Sequence, residues 1–452
     1  MDSNKTRTNR GRPGRAGALA LALAVGLAAC DFDVTNPGPV EDTFLNDPGA
    51  LPAVVNGMGR GLADALNWIA YTGGAVTREV HPAGSTGSFG ISPLQQRGVM
   101  MWDDLQITTP WNWAQRARFS AASGIERIQE SLGGEAASSP LLAQAHLWHG
   151  YINRLLGENM CEAVIDGGPI EPRGRFLELA ETAFTQAIQV GGAADASDVV
   201  TAAHAGRAAV RVHQGNWTGA VADAGMVDDD DFVFQAEYFS IGDLDQANRI
   251  YHATEAAPYK AHTQWNTWVE AYYEDTGDPR TPWRWTDEVG DAAVQPIGNV
   301  PWWPQTKHDS RASNINLSSG REMRLIEAEA LIRDGDWLLA VPIINALRTS
   351  VTSEETGDPL EPYVITNEEE AWTALIRERG IELWLEGRRM GDFRRWLLED
   401  GLDPDLFHPL EIDGADGGKD VELALNPLAE RVYCYPIPPS ERETNPNIST
   451  TP

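Results

Sequence analysis

The sequence predicts a mainly α-helical protein, and three observations carry that reading. Long stretches place apolar residues three and four apart, the spacing of one helix face. Two helix–turn–helix pairs share a pattern, with Gly in the turn, Trp opening the second arm and Ala at close-packing positions. Between the pairs, residues 232–319 show little helical periodicity and many turn residues, which predicts loops.

The elements follow in order. Asp47 to about Trp68 reads as a helix through Leu51, Val54, Val55, Met58, Leu62, Leu66 and Ile69. Gly84 to Gly90 is Gly- and Ser-rich and reads as loop. A second helix spans about Trp111 to Ser131, with Ala114, Ala117, Ala121, Ile125 and Ile128 on one stripe. A third runs from Pro140 to Leu156, and a fourth from Phe176 to Val190, around an insertion at Gly157–Gly174. The first pair is Val199–Gln214, the turn Gly215-Asn216, then Trp217–Met226. The second is Arg321–Arg333, the turn Asp334-Gly335-Asp336, then Trp337–Arg348. The pairs resemble tetratricopeptide repeats, but they do not recur every 34 residues or so, which excludes a regular solenoid. A last long helix runs from Asn367 to about Glu386, and Gly401–Pro452 reads as mostly irregular.

Composition narrows the function. Thirty-five basic residues face 66 acidic ones, a net charge of −31 over 452 residues. Phosphate binding needs clustered Lys and Arg, so nucleic acid is excluded as a partner. Electrostatic attachment to anionic lipid is excluded on the same ground. Trp, at 16, outnumbers Phe (11) and Tyr (10), which points to wide helix interfaces or to a surface that stacks flat ligands.

The N-terminus reads as a signal peptide over residues 1–29. Lys5, Arg7, Arg10, Arg12 and Arg15 form a basic region, and Ala16–Ala29 an apolar run too short to span a bilayer. The run ends Leu27-Ala28-Ala29-Cys30, which resembles a bacterial lipobox with Cys30 as the lipidated residue. More than one acyl chain makes such anchoring stable. Outside the cytoplasm the two remaining thiols, Cys161 and Cys434, are expected to pair as a disulfide.

Signatures of catalysis are sparse. HExxH, GxSxG and GxxxxGK[ST] are missing, and Gly57-Met58-Gly59-Arg60-Gly61 sits inside a helical stretch without phosphate-loop spacing. The nine His are scattered, so no metal site is predicted. Asp228–Asp231 reads as a solvated charge run, and Asp413–Asp420 does not match an EF-hand. The Trp set gives the strongest signal. Trp265, Trp268, Trp283, Trp285, Trp302 and Trp303 crowd the loop-rich segment, and sugar rings present flat faces that stack on indole. Trp283-Arg284-Trp285, if extended, sets both indoles on one side with Arg284 opposite. Pro301-Trp302-Trp303-Pro304 holds two indoles in a stiff segment. Trp217, Trp337, Trp372, Trp384 and Trp396, on helices, read as packing.

The C-terminal third carries a resemblance. Arg377-Glu378-Arg379-Gly380-Ile381-Glu382-Leu383-Trp384-Leu385-Glu386-Gly387-Arg388-Arg389-Met390-Gly391-Asp392-Phe393-Arg394-Arg395-Trp396 is similar to a block of the SusD/RagB family. Tyr435-Pro436-Ile437-Pro438-Pro439-Ser440-Glu441 with Asn445-Pro446-Asn447 resembles that family's closing motif. Asp278-Pro279-Arg280 and Arg321–Ala330 match two further blocks in the right order. Gly391 departs from the common pattern, where a large residue is more usual, and Cys434 does where an aromatic or aliphatic residue is; the departure at Cys434 fits the predicted pairing.

The resemblance implies a SusD-like fold over 30–452. Degenerate tetratricopeptide-like helix pairs would form a scaffold (about 47–231 and 320–400), beside a loop-rich, ligand-facing segment (about 232–319) and a C-terminal irregular segment (401–452). It implies a lipid-anchored protein of the outer membrane, facing the exterior. Such a protein captures oligosaccharides or peptides for a SusC-like TonB-dependent transporter, with no cofactor and no catalysis. The family's motif blocks are structural, so the ligand residues come from the aromatic reading: Trp68, Arg78, Trp102, Trp283, Arg284, Trp285, Trp302 and Trp303. Trp68 and Trp102 enter by analogy with the family's first long loop region. The rival readings are a helical glycoside hydrolase and a tetratricopeptide-type adaptor that binds protein.

Overall fold

A computed structural model describes residues 42–240, 246–256, 259–291, 299–412 and 426–452. The expected signal peptide, Cys30 and the Asp413–Asp420 cluster lie outside the described residues. The chain divides between Leu45 and Asn46, and the first unit is described only where a 3-10 turn, Asp42–Asn46, begins. The second unit carries the helices.

Helix α1, Leu51–Val76, buries the predicted stripe except for the half-buried Val54 and runs on past Trp68. Tyr71, Ala75 and Val76 continue the buried face through Gly73 and Gly74. It ends where the Thr77 hydroxyl donates to the Gly73 carbonyl at 2.8 Å and Arg78 turns to a left-handed φ of 62°. Helix α2, Thr108–Leu132, buries all five residues of its predicted stripe. Helix α3, Pro140–Asn159, opens with Pro140 behind the Ser139 cap. Helix α4, Gly174–Ala193, packs on α3 and on α5, Ser197–His213.

The insertion before α4 is a hairpin, β2 (Glu162–Val164) antiparallel to β3 (Ile170–Pro172), after the short strand β1 (His81–Pro82). Asp166 and Gly167 take positive φ at its turn.

The first predicted pair is α5 with α6, Trp217–Ala224, joined through Gly215 at φ 72° and capped by Asn216. The loop-rich segment holds more regular structure than its periodicity predicts. It contains β4 (Val233–Ala236), α7 (Arg249–Thr254), β5 (His262–Thr263), α8 (Trp268–Thr276) and β6 (Ile315–Ser319). Strands β4 and β6 pair antiparallel, as do β1 and β5. The second predicted pair is α9 (Gly320–Arg333) with α10 (Trp337–Thr349), joined through Gly335 at φ 83°. A small core of Ala205, Ala209, Val212, Ala220, Ala224, Met323 and Ile326 fastens α5 and α6 to α9. Helix α11, Glu368–Glu382, starts at the Asn367 cap with three Glu in its first turn, which suits the helix dipole.

The sequence reading closes the last long helix near Glu386. The structure ends α11 at Glu382, then adds α12 (Arg389–Phe393) and a π-helical stretch, Arg394–Glu399. Two short helices, α13 (Pro409–Ile412) and α14 (Pro439–Thr444), follow.

The motif blocks form a buried ionic lattice. Arg379 meets Asp392 at 2.8 Å, Arg388 meets Glu322 at 2.8 Å and Glu158 at 3.1 Å, and Arg389 meets Glu411 at 2.8 Å. Arg280 reaches Asp278, Glu378 and Glu382. Arg394 donates to the Gly157, Glu158 and Met160 carbonyls at the end of α3. Cys161 and Cys434 form a disulfide with Cα atoms 5.0 Å apart, and backbone bonds from Tyr435 to Asn159 and from Cys161 to Tyr435 flank it. Among the described residues no helix is long and apolar enough to cross a membrane.

Candidate functional site

The site grows from one asparagine on α1. Asn67 accepts from the Arg249 backbone N–H at 2.7 Å and donates to the Ala247 carbonyl at 2.8 Å. These bonds fix the start of α7, which Asn248 caps by accepting from the Tyr251 N–H. They also bring Arg249 over its neighbour's ring, with the guanidinium carbon 3.2 Å from the Trp68 centroid. The same guanidinium donates to the Phe89 carbonyl at 3.2 Å. Phe89 in turn meets Tyr259 edge-to-face at 5.2 Å.

These groups open onto a cleft of about 630 Å³, lined by Ser88, Phe89, Arg249, Tyr251, His252, Glu255, Ala256, Tyr259 and Arg311. That volume lies within the range of small-ligand sites. On the far side, Arg284 holds Glu255 through two bonds, at 2.8 and 3.3 Å. Arg284 also lies over the Trp302 ring, at 5.4 Å, with Lys260 over the same ring at 4.9 Å. Trp302 is itself buried and donates from its indole N–H to the Thr254 carbonyl at 2.9 Å. Lys260 pairs with Glu288. His252 is 8 % exposed; burial, then Arg311 and Arg249, hold its imidazolium pKa below the usual value, so the ring is neutral at pH 7.

The predicted residues divide. Trp68 and Trp302 flank the cleft through Arg249 and Arg284, and Arg284 reaches its lining residue Glu255. Trp285, beside Arg284 in the chain, is 67 % exposed. The two indoles expected side by side meet different surroundings. Trp283 is buried and stacks on the half-buried Trp303 with centroids 5.2 Å apart and planes 8° apart, so each ring occupies a face of the other. Arg78 does not line the cleft: it is enclosed, and burial lowers its pKa to about 10, with Arg431 adding to the effect. Trp102 is half-buried beside Arg442, 5.9 Å from its ring centroid, and is also outside the lining. The sequence reading missed Phe89, Arg249, Tyr251, His252, Tyr259 and Arg311, which bear no shared spacing.

A larger cleft, about 790 Å³, lies between the first half of α1 and β4. Its rings Trp148 and Phe234 stack on each other at 5.2 Å, and none of the predicted ligand residues lines it.

Residues 264–452 match the family model described as the SusD family. No curated protein matches the sequence. Among solved structures, a SusD superfamily protein from Bacteroides fragilis superposes with a TM-score of 0.62 at 12 % identity, over 89 % of this chain and 98 % of that one. One from Bacteroides vulgatus gives 0.62 at 13 % identity, over 88 % and 97 %. A SusD-like carbohydrate binding protein, also from Bacteroides vulgatus, gives 0.58 at 15 % identity, over 89 % and 98 %. At such identities the likeness is one of fold. Residues 264–452 thus match the SusD family, and the fold of SusD superfamily proteins extends over most of the chain.

Proposed function

We propose that this chain is a surface lipoprotein that captures oligosaccharides in the Phe89–Tyr259 cleft. It passes them unaltered to a SusC-like TonB-dependent transporter, with Cys30 carrying the lipid. The observation that carries the reading is the cleft itself. Aromatic rings line it or stand near it, fixed arginines and a neutral histidine supply polar contacts, and Trp285 stands exposed close by in the chain. Rings stack on sugar faces while the polar groups take hydroxyls. The SusD family match over residues 264–452 supports binding over catalysis, and one protein of similar fold is a SusD-like carbohydrate binding protein.

A glycan array with peptides included, probed with residues 30–452, tests this. Retention of oligosaccharides without release of new reducing ends is expected. Tyr259→Ala and Trp285→Ala should each weaken the best glycan by about 0.5–1.5 kcal/mol, the worth of a stacked ring. Unchanged affinity in both variants by calorimetry would remove the cleft from the reading.

A further inference from the structure

The charge of the cleft runs against the charge of the chain. The protein carries −31 overall, yet among the described residues the cleft is lined by two arginines and one carboxylate. The carboxylate, Glu255, is already held by the two bonds from Arg284. Arg249 is fixed in place by the Trp68 ring and the Phe89 carbonyl. Arg311 makes no side-chain hydrogen bond or ion pair with the described residues, and its backbone carbonyl accepts from Asn248 at 2.8 Å. His252, in the same lining, is buried, with an Nε2 that has no hydrogen-bond partner among the described residues. A buried polar atom left unmatched is a strong demand for a partner.

Resting on the capture reading above, we propose that the cleft selects acidic saccharides. Arg249 and Arg311 receive a carboxylate or sulfate on the sugar, and His252 hydrogen-bonds to that group or an adjacent hydroxyl. The acidic surface elsewhere does not forbid this. At physiological salt, charges beyond about 8 Å are largely screened, so the nearest cations decide. Arginine is also the residue suited to planar anionic groups.

The test uses residues 30–452 with oligogalacturonides, sulfated oligosaccharides, and the carboxyl-reduced or desulfated forms of the same chains. Titration calorimetry should give an acidic form on the order of tenfold or more tighter than its neutralised counterpart, since charge-assisted bonds are lost with the charge. That preference should shrink as NaCl rises from 0.05 to 0.5 M. Arg311→Gln, at an exposed position that leaves the fold intact by thermal melting, should remove most of the preference. Whichever of the carboxylated and sulfated arms binds tighter identifies the anion. Equal binding of charged and neutralised forms would overturn the acidic preference and leave glycan capture standing. So would an Arg311→Gln variant with the preference intact. No binding of any saccharide would overturn both.

Discussion

Glu329 shows what the arginines of the motif blocks do one side chain at a time. It is fully buried on α9 and accepts from Arg395 at 3.0 Å, from Arg333 at 2.9 Å and from the Trp396 indole at 2.8 Å. Burial alone would raise its pKa, but Arg395 and Arg333 outweigh burial and bring it to about 2, against an ordinary 4.5. A carboxyl depressed on folding contributes stability that is fully present above about 4.5 and is lost as pH falls towards 2. Glu329→Gln leaves Arg395 buried beside a neutral group, so about 3–5 kcal/mol of stability should disappear at pH 7. Urea unfolding at pH 7, 4 and 3 should show the wild type converging on the variant as the pH drops. A gap independent of pH would refute the charge account. The same residues explain a failure of pattern reading. Arg389, Arg394 and Arg395 are 4 %, 5 % and 3 % exposed, so α12 and the π-helical stretch bury charges where a stripe of apolar residues is the usual signal.

At the scale of elements, glycines set how closely the helices approach. The Phe184 ring of α4 sits between Gly150 of α3 and Gly206 of α5, where an added Cβ would lie 2.6 and 2.3 Å from ring atoms. Gly206→Ala gains about 1 kcal/mol of helix propensity but overpacks a ring already held edge-on by Tyr151 at 5.0 Å. Overpacking costs about 1–3 kcal/mol, so a net loss and a lower denaturant midpoint are expected. Gly192→Ala on the same α4, with nothing within 4 Å, should raise the midpoint instead. Equal shifts in the two variants would show that propensity, not the ring, governs the site. This is also where element boundaries escaped the sequence. The sequence reading closes the first helix near Trp68, yet α1 continues to Val76 through Gly73 and Gly74, where Met390 and Leu385 pack. The helix pairs, by contrast, were legible, because Gly215, Gly335 and the Trp that follows each lie within a few residues of one another. The cleft was legible only through its indoles and Arg284. Bonds to Asn67 and Asn248 place Arg249 and Arg311, Tyr259 meets Phe89 ring to ring, and no local pattern announces such distant partners.

Across the whole molecule, the Cys161–Cys434 disulfide closes a loop with a separation of 273 residues. Replacing both cysteines by Ser should lower stability by about 2–5 kcal/mol, because the unfolded chain regains the freedom the link removes. Denaturant unfolding with and without reductant measures this: reductant should bring the wild type to the level of the variant and leave the variant unmoved. The link ties the end of α3 to the segment just before α14, and the loop it closes holds both helix pairs, α7 and the arginines of the motif blocks. A molecule exposed to proteases is cut first at projecting loops such as Glu354–Asp358, all of whose residues are exposed. A cut there severs the backbone without freeing a fragment, since both pieces remain covalently joined and continue to share one core. Damage at that surface would leave a nicked but still assembled protein.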